Sequence, residues 1–151
     1  MILSLQRVDE KTQNKNECVV TFPYILDIKE FIDPACGHSN ENKYNLYAVI
    51  NHQGSMDCGH YYSYIMDQET GKWYQFNDNS ISDYNIDTDL ERECFGNMGG
   101  NNVNQYGRTA YLLFYTKKSI FRNKSLFENI NVNKPVLNDV YNENMKFLNM
   151  N

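Results

Sequence analysis

The sequence predicts an α+β fold that is β-rich and built on an antiparallel sheet. Three observations carry this expectation. Segments 44–51, 60–66, 73–76 and 109–118 are short and rich in aromatic and apolar residues, as strands are. Polar, glycine-bearing turns separate the first three at hairpin distances. Few stretches fit a helix, chiefly 87–94 and parts of 119–151. A chain of 151 residues is long enough for one domain with a real core.

In chain order, residues 2–8, ILSLQRV, read as a strand. It begins with no preceding turn, which predicts that the natural edge of the fold lies upstream. DEKTQNKNE is a polar loop, and CVVTF is a second short strand closed by Pro23. YILDIKEFI has a mixed period that fits a strand or one turn of helix, and DPACGHSNENK is a loop. From Tyr44 to Asn51 the residues alternate, with Tyr44, Leu46, Ala48 and Ile50 on one face and Tyr47 and Val49 on the other. Both faces are apolar, which places this strand centrally in a sheet.

After the turn NHQGSMDCGH, residues 60–66 form its antiparallel partner, DQETG closes a hairpin, and KWYQF returns as a third strand. NDNSISD reads as a polar turn. Residues 87–94 fit a short helix capped by Asp87 or Thr88, with Glu91 near the third helical position. CFGNMGGNNVNQYGR has no period and reads as a mobile surface loop, whereas TAYLLFYTKK is the strongest strand signal of the tail. SLFENI and DVYNENMKFLNM each fit a helix, and the asparagine content around them leans toward partial disorder. The expected division is a domain over 1–118 and a weakly structured or helical extension over 119–151.

A net charge of -5 disfavours a nucleic-acid groove, which needs clustered Lys and Arg, and suits a moderately basic protein partner. No run of 18 apolar residues occurs, and MILSLQRVDE turns polar by residue 6, so neither a membrane span nor a secretory leader is expected. Cys18, Cys36, Cys58 and Cys94 permit two disulfides in three pairings. A chain of this size does not need such staples, so reduced thiols in a cytoplasmic or nuclear setting are expected.

The chemistry centres on His60. Histidine titrates near neutrality and can serve as a base for a Cys or Ser nucleophile when its second ring nitrogen is held by an amide or carboxylate. The hairpin that starts at His60 returns through Trp73–Phe76 and delivers Asn77 and Asp78 seventeen and eighteen residues later. Adjacent antiparallel strands bring such ends within hydrogen-bond reach. Asn77 is therefore the expected orienter, with Asp78 its substitute or a supporting acid. Gly54 allows a sharp turn, and Gly59 removes a side chain just before His60 so that an extended substrate backbone can approach. His52 and Tyr61 are placed to line that approach. The bland alternative is an aromatic β-scaffold in which His60 is an ordinary strand residue.

The segment YNLYAVINHQGSMDCGHYYSYI, followed by GKWYQFNDNSIS and AYLLFY, resembles the C-terminal half of the ubiquitin-specific proteases, the papain-like deubiquitinating cysteine proteases. The upstream LSLQR and TFPYILDI resemble the family's preceding strands, so the likeness runs from about residue 2 to about residue 116. The resemblance implies hydrolysis of bonds to the C-terminal glycine of ubiquitin without a cofactor, and ubiquitin and ubiquitinated proteins as partners. It also implies His60 as general base, Asn77 as third triad member and Asp78 as the following acid. His52, Gly54, Gly59 and Tyr61 would lie beside the ubiquitin tail, and Lys15 is a further candidate contact. Arg7–Val8 stands where the family usually has Arg-Phe, which weakens or moves an aromatic contact to the tail.

The family's nucleophile lies in an upstream box resembling G-N-T-C-Y, which this sequence lacks. The expectation is thus a part of the papain-like catalytic domain that lacks the upstream helical subdomain carrying the cysteine and pairs with it. None of Cys18, Cys36, Cys58 and Cys94 stands in a setting that marks a nucleophile. Cys36-x-His38 and Cys58-x-His60 supply four ligands suited in kind to zinc, but neither pair has the usual spacing and the site would consume the base, so no metal is expected. The alternative function is a non-catalytic ubiquitin-recognition module or a degenerate protease.

Overall fold

A computed structural model describes residues 1–33, 35, 42–96, 107–117, 120 and 133–149. The chain divides into two compact units, Met1–Phe121 and Arg122–Asn151. Among the described residues of the first, seven strands form one antiparallel sheet: β1 (Ile2–Ser4), β2 (Ile25–Asp27), β3 (Lys43–Gly54), β4 (Gly59–Met66), β5 (Trp73–Asn77), β6 (Ser80–Tyr84) and β7 (Thr109–Lys117). Their order is β1-β7-β3-β4-β5-β6, with β2 paired to β3 beside this path. A single 3-10 turn, Lys29–Phe31, follows β2, and helix α1 (Ile86–Cys94) links β6 toward β7. In the second unit the described element is helix α2 (Lys134–Asn149), whose Pro135 falls in the first turn, where no intrahelical N–H is required.

β3 is central, as its two apolar faces predict. β7 pairs along one edge, while the other edge is shared by β2 at residues 43–45 and β4 at residues 48–54. The strict alternation does not hold, however. The pairing with β7 slips between Leu46 and Ala48, so Leu46 and Val49 enter the same core cluster although three positions separate them. A bulge of this kind inserts one residue and reverses the facing of those beyond it.

The core lies between one sheet face and α1. It joins Leu46, Val49, Tyr62, Tyr64, Trp73, Leu113 and Tyr115 of the strands to Ile86, Leu90, Cys94 and Phe95 of the helix region. Burying such aromatic and aliphatic side chains contributes about 1.5–3 kcal/mol each. Tyr64 stacks on Tyr84 with ring centroids 3.7 Å apart, and Phe22 meets Phe95 edge-on at 4.9 Å.

Four local readings change. Residues 2–8 form a strand only over Ile2–Ser4; beyond it Arg7 turns inward and Val8 makes a single bridge to Lys15. CVVTF runs without a ladder and ties to the helix region through Val20 N–H donating to Phe95 O at 2.9 Å. NDNSISD is not a turn throughout: only Asp78 and Asn79 turn, with Asp78 at φ 50°, and Ser80 begins β6. The cap of α1 is Asn85, whose side chain accepts from Asp87 N–H at 3.2 Å, in place of Asp87 or Thr88. YILDIKEFI resolves as both of its options in succession, β2 and then the 3-10 turn. The glycine and asparagine run at 97–106 and the segment SLFENI lie outside the described residues.

Candidate active site

His60 is the second residue of β4 and faces the core side of the sheet with Tyr62, the two rings stacked at 6.2 Å. The β4–β5 register pairs Ser63 with Phe76, so one further step opposes Tyr62 to Asn77 and leaves His60 diagonal to Asn77 on one face. The imidazole spans that diagonal: His60 Nε2 lies 2.6 Å from Asn77 Oδ1. An amide oxygen can only accept, so Nε2 carries the hydrogen and donates, and Nδ1 keeps a lone pair able to take a proton. Asp78 sits at the left-handed corner of the β5–β6 turn, its Oδ2 3.9 Å from the same nitrogen. At that separation it acts through charge, and its side chain is 79% exposed.

The turn that carries His60 is narrow and internally bonded. Gly54 pairs with Gly59, and Ser55 N–H donates to Cys58 O at 3.0 Å. Gly54 has φ +102°, and a Cβ there would come within 2.5 Å of Cys58 O. Gly59 serves a different need from the one its sequence position suggests. A Cβ at 59 would meet His52 Nε2 at 2.0 Å, so glycine makes room for the His52 ring before it makes room for any substrate. His52 is itself buried, stacked obliquely on Tyr61 at 4.6 Å. Burial and the nearby Lys15 charge hold its pKa below the ordinary value, so the ring stays neutral. Tyr61, cross-strand from His52, is 53% exposed.

Lys15 Nζ donates to His52 O at 3.1 Å, to Gly54 O at 3.1 Å and to Gly107 O. All three of its donors are thus aimed at the scaffold. Several residues outside the candidate set take structural roles here. Arg7, 3% exposed, donates from Nε to Ala110 O at 3.1 Å and from Nη1 to Cys18 O at 2.6 Å, pinning the loop after β1 to β7. Asn51 is fully buried, and its Nδ2 donates to Glu93 O at 2.7 Å, fastening the end of α1 to β3. Glu93, also buried, accepts from Arg108 Nη1, from Arg92 Nε at 3.2 Å and from Tyr64 Oη at 3.4 Å. A lone Arg in an apolar run and an Asn inside a strand were the available hints, since both are costly to bury without partners. Tyr64, Arg92, Glu93 and Arg108 border, with Asn77, one polar cleft of about 260 Å³.

The cysteines stand apart from this arrangement. Cys94 is fully buried in the core, where burial pushes its thiol up to about 12, against a weak contact with Tyr84 Oη at 3.9 Å. Cys18 and Cys58 are exposed free thiols, and neither they nor Cys94 hydrogen-bond to His60. Cys36 and His38 lie outside the described residues. Among the described residues, no three His, Cys, Asp or Glu side chains gather in a metal-binding group, and no helix is long and apolar enough to cross a membrane.

The family model for ubiquitin carboxyl-terminal hydrolases matches residues 1–115, which is the whole sheet except the last two residues of β7. The chain belongs to that family. Ubiquitin carboxyl-terminal hydrolase 15 of Rattus norvegicus is 33% identical over 117 residues, covering 76% of this chain and 10% of that protein. Ubiquitin carboxyl-terminal hydrolase 2 of Bos taurus is 41% identical over 85 residues, 54% of this chain and 14% of that protein. The chain therefore spans about a tenth of the length of such family members. Among solved structures, a chain of the SAGA Ubp8/Sgf11/Sus1/Sgf73 DUB module superposes with a TM-score of 0.58 at 24% identity, covering 78% of this chain and 23% of that one. The expected α+β, β-rich antiparallel architecture is accordingly that of the family's papain-like catalytic fold.

Proposed function

We propose that this chain supplies the general base and its orienter to a deubiquitinating thiol protease, which hydrolyses bonds to the C-terminal glycine of ubiquitin. The observation that carries this reading is the 2.6 Å contact between His60 Nε2 and Asn77 Oδ1, which leaves Nδ1 as the basic nitrogen. In the reaction, His60 Nδ1 takes the proton of a cysteine thiol and the thiolate attacks the glycine carbonyl. The same nitrogen then protonates the departing lysine amine and activates the water that releases ubiquitin. Asn77 holds the ring, and Asp78 adds negative charge that favours the transient imidazolium.

The nucleophile in this reading comes from another subdomain, because Cys94 is sealed in the core and the exposed Cys18 and Cys58 make no bond to His60. Tyr61 presents its ring to the ubiquitin tail, while His52, Gly54 and Gly59 shape the wall behind it and Lys15 supports that wall from within.

His60→Ala in the complete protein tests the assignment. Loss of a general base lowers turnover by roughly 10²–10⁴-fold, while ubiquitin binding is largely kept; retained turnover refutes it. On the 151-residue chain alone, a ubiquitin C-terminal electrophile labels no cysteine. Robust labelling of Cys36 or Cys94 would overturn the assignment of the nucleophile to another subdomain.

A further inference from the structure

The pairing of β3 with β7 ends at His52–Thr109. Just beyond it, the carbonyl oxygens of His52, Gly54 and Gly107 converge on one point, which Lys15 Nζ occupies. The two glycines are close: a Cβ on Gly107 would stand 3.4 Å from Gly54 O. Three acceptors pointed together repel one another and cannot satisfy one another, so a donor must fill the cup. A tetrahedral ammonium with three N–H groups matches three oxygens, whereas a planar guanidinium does not. Lys15 is delivered there by the Val8–Lys15 bridge, and Asn16 N–H donates to Arg7 O at 2.8 Å just beyond it.

We propose that Lys15 is a positioning residue for His60, clamping the outgoing end of β3 to the chain entering β7 and so setting the height of the 55–58 turn from which His60 rises. The proposal rests on the reading of His60 as the base. Gly54, one of the three residues clamped, is paired directly with Gly59, the residue before His60. His52, another, fills the space under Gly59. A shift of the clamp therefore passes to His60 through a backbone pair and a packed ring, with no intervening loop to absorb it.

The clamp is also sensitive to alkali. Burial brings the Lys15 amine down to about 8 from the ordinary 10.5, with Glu17 opposing the shift and Arg7 adding to it. The charged and titratable groups facing it are Glu17 on its own segment, Arg7 on the preceding limb and His52 on β3. Neutral lysine keeps two donors for three oxygens, so the hydrogen bonding within the cup changes as pH rises through about 8. The unfolded chain binds more protons than the folded one between about 8 and 10.5, so this group makes global stability rise with pH in that window.

The test uses the 151-residue chain carrying Cys58→Ser, so that no thiol titrates within the turn. Ring-nitrogen NMR reports the His60 tautomer, and amide hydrogen exchange reports the turn. With Lys15→Met, exchange in residues 55–58 accelerates at least tenfold and the His60 ring-nitrogen shifts move, while Val49 and Leu113 exchange as before. Lys15→Arg keeps the charge and falls between. Unchanged turn exchange and unchanged His60 shifts in Lys15→Met overturn the proposal. Should Lys15→Met fail to fold, the Lys15 chain itself decides: the His60 ring and Gly59 amide shifts must follow the Lys15 amine with a midpoint near 8, and their constancy through that range overturns it. Asn77→Ala separates this idea from the reading beneath it. If that variant leaves the His60 ring nitrogens unmoved, the orienter assignment fails. If it moves them and Lys15→Met does not, only the positioning role fails.

Discussion

Gly59→Ala adds one methyl group to the turn before His60, and its consequence can be worked out from the packing. Gly59 does not have the left-handed φ that Gly54 and Gly71 have, so alanine meets no backbone penalty. The collision is steric: the new Cβ would stand 2.0 Å from His52 Nε2, 2.6 Å from His52 Cε1 and 3.0 Å from Gln53 O. His52 has little freedom to retreat, since it is buried and Tyr61 lies 4.6 Å from it. Overpacking of this kind costs about 1–3 kcal/mol, offset by about 0.4–1 kcal/mol because alanine restricts the unfolded chain. The net loss is roughly 1–2 kcal/mol, or a fall in Tm on the order of 2–8 °C for a chain of this size.

Urea denaturation of four chains, wild type, Gly59→Ala, His52→Ala and the double variant, isolates the contact. Removing the His52 ring removes the clash, so the alanine at 59 becomes neutral or slightly stabilising and the coupling energy is about 2 kcal/mol. Additive behaviour within about 0.5 kcal/mol would refute the argument that glycine is required by the ring beneath it.

Other outcomes follow from the same geometry. Replacing Arg7 with Met strips partners from Ala110 O and Cys18 O and should destabilise the fold by about 2–4 kcal/mol, readable in denaturant melts. His52 is held neutral with a pKa below 6.5, so the unfolded chain binds more protons as acid is added; its contribution lowers stability as pH falls below about 6.5, and His52→Phe should flatten that limb of a stability–pH curve. Iodoacetamide at pH 8 should modify Cys18 and Cys58 in the native chain and reach Cys94 only after unfolding, as peptide mass mapping would report. Ile81→Asp should leave the melting temperature within about 2 °C, because the side chain is 64% exposed on the outermost strand.

The parts of the site legible beforehand were those whose spacing follows from hairpin geometry. His60 and Asn77 lie on neighbouring antiparallel strands joined by a tight turn, and Asp67 closes that turn by accepting from Glu69 N–H at 2.9 Å and Thr70 Oγ1 at 2.7 Å. Once the turn is recognised, the register and therefore the contact follow. The role of Gly59 was not legible, because the ring that needs the space belongs to the facing strand. Nor was the part played by Lys15, whose three acceptors are 37, 39 and 92 residues away. The bulge in β3 escaped the pattern too, since alternation is a local rule and a bulge is decided by the strand on the far side.

From residue order alone come the strand-rich class, the hairpins, the central position of β3, the pairing of His60 with Asn77 and the likeness to a protease family. The likeness rests on the quoted motifs themselves; the others depend on local periodicity and on contacts between chain neighbours. Tertiary structure decided which face of β3 joins the core, how Arg7 and Lys15 are used, and that Cys94 is sealed away. Each of those is settled by desolvation and by the pairing of polar groups brought from distant parts of the chain, and no window of sequence contains both partners.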